Sequence, residues 1–319
     1  MPFDAGVVLP DTGLIAIFRA QLGQYSDLPA DRILAYQPFK PHYDALMRSF
    51  PTVADMPSDA AMAIVHVTRS RDESLGLIAG AWAALDTGGW LIVDGDKSNG
   101  IDGIWKALRT VLPGAQQDSK AHGRVIWAQK SDAVLPDWQN ALAHRVNADG
   151  FVTTAGVFSE AAADKGSAAL AAHLDGVLSG KGADFGAGWG WLSQELLRKN
   201  GAVTALDMIE ADARALDCAR ENVADPRARF VWGDATQQPG TYDFIVTNPP
   251  FHLGRKPDPS LGRAFISAAA RALSPKGVLW LVANRQLAYE DTLNSAFGAV
   301  DAMSQSGGFK VIRARKPRT

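Results

Sequence analysis

The stretch Asp243-Phe244-Ile245-Val246-Thr247-Asn248-Pro249-Pro250-Phe251-His252 limits the possible folds more than any other. Phe244 to Thr247 is a buried-type apolar strand that two consecutive prolines end abruptly. Each proline fixes φ at about −65° and removes a ladder donor, so no strand or helix runs through them. Asn248 is pushed to an extended conformation by the proline that follows it. The product is a stiff turn holding an amide side chain, an outward backbone carbonyl and an aromatic ring in fixed relation. Such a turn suits a planar substrate with an exocyclic NH2. An aromatic amine is a poor nucleophile because its lone pair is delocalised into the ring. If the Asn248 side-chain oxygen and the Pro249 carbonyl accept its two N–H bonds, the lone pair can turn towards an electrophile. Acceptors of this kind catalyse insofar as they favour the transition state, where positive charge grows on nitrogen. Phe251 is placed to stack on the base, a contact worth roughly 1–3 kcal/mol. A Pro-Pro turn is also how a chain simply leaves a sheet, so the surrounding sequence must decide.

Upstream, Asp184-Phe185-Gly186-Ala187-Gly188-Trp189-Gly190 fits D-x-G-x-G-x-G after a short strand, Ala183 to Phe185. It precedes a helical pattern with Leu192, Leu196 and Leu197 on one face. Gly186, Gly188 and Gly190 allow a tight strand-to-helix turn and close approach of a ligand to the backbone. A second strand, Ala202 to Ile209, ends in Glu210 and runs into a helical stretch over 211–222. A carboxylate at the end of the second strand suits the two hydroxyls of a nucleoside ribose. Glu210 and Asp207 both qualify, with Glu210 favoured because it immediately precedes the helix. A third strand, Arg229 to Gly233, leads into Asp234-Ala235, where a carboxylate can accept a bond from an adenine amino group. Taken singly, Asp234 also reads as a solvated strand-end turn. The four elements occur at successive βα junctions, and the C-terminal edge of a doubly wound parallel α/β sheet is where ligands bind.

The chain resembles class I S-adenosylmethionine-dependent methyltransferases of the ribosomal RNA small subunit methyltransferase C type. The resemblance is carried by Gly156-Val157-Phe158-Ser159, Asp164-Lys165-Gly166-Ser167, the four elements above, Leu281-Val282-Ala283-Asn284 and Gly308-Phe309-Lys310-Val311. It is close over about 150 residues and looser in the N-terminal half. N-P-P-F is shared with other amino-group methyltransferases, whereas G-V-F-S with a later G-F-K-V is more specific to this family. The resemblance implies S-adenosylmethionine as methyl donor, the N2 of a guanine in ribosomal RNA (16S first) as target, and rRNA or the small ribosomal subunit as partner. It implies two tandem Rossmann-like domains, the N-terminal one degenerate and helping to hold RNA, the C-terminal one built on seven strands. Asn248, Pro249, Pro250 and Phe251 are then the expected catalytic residues. Asp184, Gly186, Gly188, Gly190, Glu210, Asp207, Asp234, Ala235 and Asn248 would hold the cofactor, and Phe251, His252, Arg255 and Lys256 the substrate. The first turn departs from the family's usual cysteine and small residues, reading Ala187, Trp189 and Trp191 instead. Trp189 either reaches the methionine part of the cofactor or packs beneath the helix. The expected mechanism is direct displacement, accelerated mainly by alignment, which can supply roughly 7–11 kcal/mol. Rival substrates are a large-subunit guanine, adenine N6 or a protein glutamine. A rival of another class is a non-catalytic RNA-binding assembly protein with a methyltransferase fold.

The rest of the chain fits that class. Its 319 residues suggest roughly two domains. We expect a degenerate methyltransferase-like domain over 1–130, a connector over 131–150 and a catalytic domain over 151–319. No apolar run reaches the ~18 residues of a membrane helix, and the N-terminus lacks the pattern of a signal peptide. Cys218 is the only cysteine, so no Cys-based metal site or disulfide is expected and the cytoplasm is the expected compartment. A net charge of −2 argues against nonspecific coating of nucleic acid. Basic residues do cluster, at Arg255, Lys256 and Arg263 and at Lys310, Arg313, Arg315, Lys316 and Arg318, where phosphate contacts would orient RNA.

Two spans repeat the same order of strand, Leu-Gly, Ala-rich helix, Gly turn and strand. One runs from Ala63 through Leu75-Gly76 and Gly88-Gly89 to Val93, the other from Phe244 through Leu261-Gly262 and Pro275-Lys276-Gly277 to Val282. Thr68-Arg69-Ser70 stands where the first copy should have N-P-P-F. No D-x-G-x-G-x-G precedes it. Between the copies, Leu170, Leu174, Val177 and Leu178 mark an amphipathic helix that could close over the cofactor.

Overall fold

Phe244, Ile245 and Val246 are consecutive and all buried, as in a strand covered on both faces. The computed structural model, which describes residues 2–23, 25–120, 122–250 and 259–318, contains that arrangement in each of two compact units. One unit comprises residues 1–144 with 154–156, the other residues 145–153 with 157–319. The expected connector over 131–150 thus contributes to both. Trp138 and Leu142 pack against the core of the first unit, while Arg145–Val146 pairs with Val152–Thr153 in the second.

In the first unit seven strands, β1 (Ile15–Phe18), β2 (Ile33–Tyr36), β3 (Thr52–Val53), β4 (Ala60–His66), β5 (Leu85–Asp96), β6 (Gln116–Lys120) and β7 (Gly123–Gln129), lie in the order β3-β2-β1-β4-β5-β7-β6. Helices α1 (Lys40–Leu46), α2 (Arg71–Ala84) and α3 (Ile101–Val111) connect them. The second unit opens with the hairpin β8 (Arg145–Val146) and β9 (Val152–Thr153), then α4 (Lys165–Ala171), β10 (Gly180–Phe185), α5 (Trp191–Lys199) and β11 (Val203–Glu210). It continues with α6 (Ala213–Asn222), β12 (Ala228–Trp232), β13 (Tyr242–Thr247), α7 (Pro259–Ala272), β14 (Leu273–Asn284), α8 (Glu290–Ala296), β15 (Phe297–Ser306) and β16 (Phe309–Pro317). Its sheet has the same order, β12-β11-β10-β13-β14-β16-β15. In both sheets five strands are parallel, and the last two (β6 with β7, β15 with β16) add antiparallel.

The duplication extends to an irregularity. A step of two along β4, from Ala60 to Met62, faces a step of five along β5, from Leu85 to Trp90, and the step from Tyr242 to Phe244 faces that from Leu273 to Val278 in the same way. The glycine-containing turns read at Gly88-Gly89 and Pro275–Gly277 are therefore bulges within long strands. Gly89 and Gly277 sit where a Cβ would lie 2.7 Å from Ala61 O and 2.9 Å from Tyr242 O, so a side chain would push the neighbouring strand away.

Register also shows what the first copy has lost. Phe18 pairs with Tyr36 and Val65 where Phe185 pairs with Ile209 and Thr247. Arg19 therefore stands for Gly186, Gln37 for Glu210 and His66 for Asn248; the counterpart of Asn248 is His66, two residues before Thr68. Arg19 keeps the left-handed backbone of its glycine counterpart, φ 58° against 79°. Its guanidinium pairs with buried Glu73, and the Gln37 amide donates to Ala20 O at 2.8 Å.

Alternation along β13 puts Ile245 among α7 and α8 residues on one face, and Phe244 and Val246 among α4 and α5 residues on the other. Helix α4 is shorter than its apolar pattern implies. Beyond Ala171, Leu174 and Leu178 are buried but Val177 is exposed. Buried Asn200 takes over the backbone there, donating to Leu174 O at 2.7 Å and accepting from Leu178 N at 3.0 Å.

Candidate active site

The glycine turn between β10 and α5 is hooked onto the end of β11. Gly186 N and Ala187 N both donate to Ile209 O, at 2.9 and 3.1 Å. Gly186, Gly188 and Gly190 have φ of 79°, 57° and 89°, a region costly for side chains. Glu210 binds the turn from beneath, its Oε2 accepting from Gly188 N at 2.7 Å and its Oε1 from Asp212 N at 2.8 Å. Burial raises the Glu210 carboxyl above its ordinary range while those backbone donors hold it down. Asp184 turns inward and accepts the Ser193 hydroxyl of α5 at 2.7 Å. Burial pushes its carboxyl up to about 7, against the Ser193 bond and with the help of the nearby Glu210 charge.

The second wall is the end of β13. Thr247 Oγ1 donates to Phe185 O at 2.8 Å and keeps the two strand ends together. Asn248 Nδ2 donates to Asp164 Oδ1 at 2.7 Å and to Ser167 Oγ at 3.0 Å. Asp164 is the N-cap of α4, and the same Oδ1 accepts from Ser167 N at 2.9 Å. Because that carboxylate oxygen is an acceptor, it is the donating nitrogen of the Asn248 amide that meets it, with Oδ1 on the amide's other side.

Between these walls lies an open cavity lined by Phe158, Ser159, Asp164, Ser167, Gly186 to Trp189, Trp191, Leu192 and Asn248. Trp189 is 4% exposed, packs on Phe151, Val157, Ala215 and Cys218, and donates its indole N–H to Phe158 O at 2.8 Å. It both lines the cavity and packs, and it pins the G-V-F-S segment to the glycine turn. Ser159, with φ 53°, donates to Ala162 O at 2.9 Å. Sequence reasoning read Phe158, Ser159, Asp164 and Ser167 only as motif residues before a helix that could close over the cofactor, not as named site residues. The signal was available, since the family resemblance rests partly on those two short motifs.

Of the expected cofactor residues, Gly186, Gly188 and Asn248 line the cavity. Gly190 has its Cβ position filled by Val223, Ala219 and Met208. Asp207 lies three residues before the strand edge, where it accepts from Tyr242 Oη at 2.9 Å and pairs with Lys181 at 3.3 Å. Asp234 Oδ1 accepts from Thr236 N and Oγ1, at 2.8 and 2.7 Å, and Ala235 is buried beside it. Pro249 is buried and Pro250 exposed. Phe251, His252, Arg255 and Lys256 lie outside the described residues.

The basic clusters expected to meet phosphate are partly committed elsewhere. Lys310 is buried and bonded to Leu287 O and Glu290, while Arg313 and Arg315 share Asp301 at 3.0 and 2.9 Å. Arg263 remains exposed. Burial pushes the Cys218 thiol up to about 12, so it is no nucleophile at neutral pH.

Comparison with known proteins adds a family. The methyltransferase small domain model matches residues 149–313. The ribosomal RNA small subunit methyltransferase C of Idiomarina loihiensis is 31% identical over 242 residues, covering 73% of this chain and 72% of that protein. The protein of the same name from Alcanivorax borkumensis is 33% identical over 277 residues, covering 83% and 82%. Among solved structures, a T. thermophilus 16S rRNA N2 methyltransferase in complex with AdoMet and guanosine superposes with a TM-score of 0.81 at 23% identity. It covers 97% of this chain and 90% of that one, a likeness that establishes the fold across both units.

Proposed function

The chain belongs to the ribosomal RNA small subunit methyltransferase C family, and from that membership we propose that it methylates the exocyclic N2 of a guanine in 16S ribosomal RNA. It is an S-adenosylmethionine-dependent methyltransferase, and the cytoplasm is its proposed compartment. No helix among the described residues is long and apolar enough to cross a membrane.

The cavity fits such a cofactor. Gly188 has no atom within 4 Å of its absent Cβ, which opens the turn's backbone to a ligand. The Glu210 carboxylate accepts backbone N–H groups of Gly188 and Asp212, and its remaining acceptor capacity is assigned to a ribose hydroxyl. Glu210, rather than Asp207, is therefore the ribose acid. Asp234 Oδ2 is the acceptor for an adenine amine, Thr236 holding the other oxygen. Asp184 supports the turn through Ser193. When bound, S-adenosylmethionine supplies an electrophilic methyl group.

The observation that carries this proposal is the orientation of Asn248. Its Nδ2 is held by Asp164 and Ser167, and the Oδ1 of this cavity-lining residue and the Pro249 carbonyl are the proposed acceptors for the two N–H bonds of a guanine amine. These acceptors gain strength as positive charge grows on N2, and the fixed turn makes them ready before the reaction. A guanine entering from a stack costs a few kcal/mol to flip, and Phe251, His252, Arg255 and Lys256 are the proposed contacts for it and its backbone. Methylation makes the amine acidic, so water can take its proton and no strong base is required. Asn248→Ala tests the assignment. Turnover should be abolished with cofactor affinity nearly unchanged, and an equal loss of both would overturn it.

A further inference from the structure

We propose that Asp164, assisted by Ser167, is a positioning residue for methyl transfer, fixing the Asn248 amide so that Oδ1 rather than Nδ2 meets the target amine. The inference rests on the role given to Asn248 above.

The two ends of a side-chain amide have nearly the same shape but opposite hydrogen-bonding character. Rotation by a half turn would bring Nδ2 against the substrate amine, donor against donor. What prevents it is the partner on the far side. Asp164 Oδ1 lies 2.7 Å from Asn248 Nδ2, and a carboxylate cannot serve an amide oxygen as donor. Asp164 is itself held, because the same oxygen accepts from Ser167 N at 2.9 Å in the first turn of α4. That helix is anchored through Leu170 and Ala171 in the core beside β13. Gly166 lets the cap close: a Cβ there would lie 2.9 Å from Asp164 Oδ1 and 3.0 Å from the Phe309 ring. The chain from core to amide contains no freely rotating member.

Asp164→Asn separates this role from simple helix capping. Asparagine caps as well as aspartate. Its own amide, however, can present oxygen or nitrogen to Asn248 and so releases the constraint. With undermethylated small subunits as substrate, kcat should fall about 10–100-fold, the size of one charge-assisted hydrogen bond. KM for the subunit and cofactor affinity by calorimetry should stay within about threefold, well under that loss. The side-chain amide resonances of Asn248 in selectively labelled protein should shift. Ser167→Ala, which keeps the backbone cap, should lose about 3–10-fold. Wild-type kcat and unmoved Asn248 resonances in Asp164→Asn would reduce Asp164 to a helix cap and overturn the proposal. Parallel loss of turnover and cofactor affinity would make it a cofactor contact and also overturn it. Asn248→Ala, measured alongside, tells the two levels apart: wild-type turnover there would sink the role of Asn248 itself.

Discussion

Asp184 Oδ2 accepts the hydroxyl of Ser193 at 2.7 Å in a place where the carboxyl is 1% exposed. The bond ties the end of β10 to the first turn of α5 and so sets the shape of the glycine turn between them. One hydroxyl donor does not offset the loss of water, which is why burial raises this acid from its ordinary 3.8 to about 7. Between those two values the folded chain binds a proton that the unfolded chain has released. Stability therefore falls as pH rises through that window. Asp184→Asn keeps an acceptor for Ser193 and removes the titration. Its stability relative to the wild type should grow from pH 4.5 to pH 8, by at most about 4 kcal/mol. Parallel stability curves for the two proteins in urea titrations across that range would contradict the assignment.

Glu210 has two duties, holding Gly188 N and binding ribose. Glu210→Gln keeps one acceptor for the turn, so the fold should survive with a small loss. Cofactor affinity should fall about 10–100-fold, as expected for hydrogen bonds to a charged group. Calorimetric titration with cofactor measures this directly, and an unchanged Kd would move ribose recognition elsewhere.

Trp189→Phe removes the N–H that holds Phe158 O while leaving most of the packing. The unmatched carbonyl and the loosened wall should cost about 1–3 kcal/mol of stability and weaken cofactor binding. If binding is unaffected, the G-V-F-S segment stands beside the cofactor without shaping its site.

The first unit should bind no cofactor. Arg19 fills the place of Gly186 and Gln37 that of Glu210, so calorimetry on the whole chain should give one cofactor per chain. Arg19→Gly relieves a left-handed backbone but leaves Glu73, 4% exposed at its side chain, without its cation. The net effect should be destabilising by about 3–5 kcal/mol, measured in urea, with the stoichiometry still one.

Local patterns were the legible ones. The Asn248-Pro249-Pro250 turn, the glycine spacing after Phe185 and the acid ending β11 each follow from a few neighbouring residues and stand at the sheet edge as read. The paired Leu-Gly spans announced a duplication that the two identical strand orders display. Partners far apart in sequence were not legible. Nothing near Asp207 says that Tyr242, thirty-five residues on, will take its carboxylate. Nor does the basic run after Lys310 reveal that Asp301 neutralises two of its arginines across an antiparallel pair. Glycine pairs looked like turns because a bulge and a turn need the same backbone freedom. The counterpart of Asn248 was misplaced by two residues because only strand register, a non-local quantity, identifies His66. Asp164 was visible as part of a short family motif, but its grip on Asn248 spans eighty-four residues.

The most direct test supplies labelled S-adenosylmethionine and this protein to undermethylated small subunits, large subunits and their free rRNAs, then digests the RNA to nucleosides. N2-methylguanosine from the small subunit or its 16S rRNA, with none from the large subunit, is the predicted result. Label at adenine, in large-subunit RNA or on protein, with no N2-methylguanosine in 16S rRNA, would contradict it.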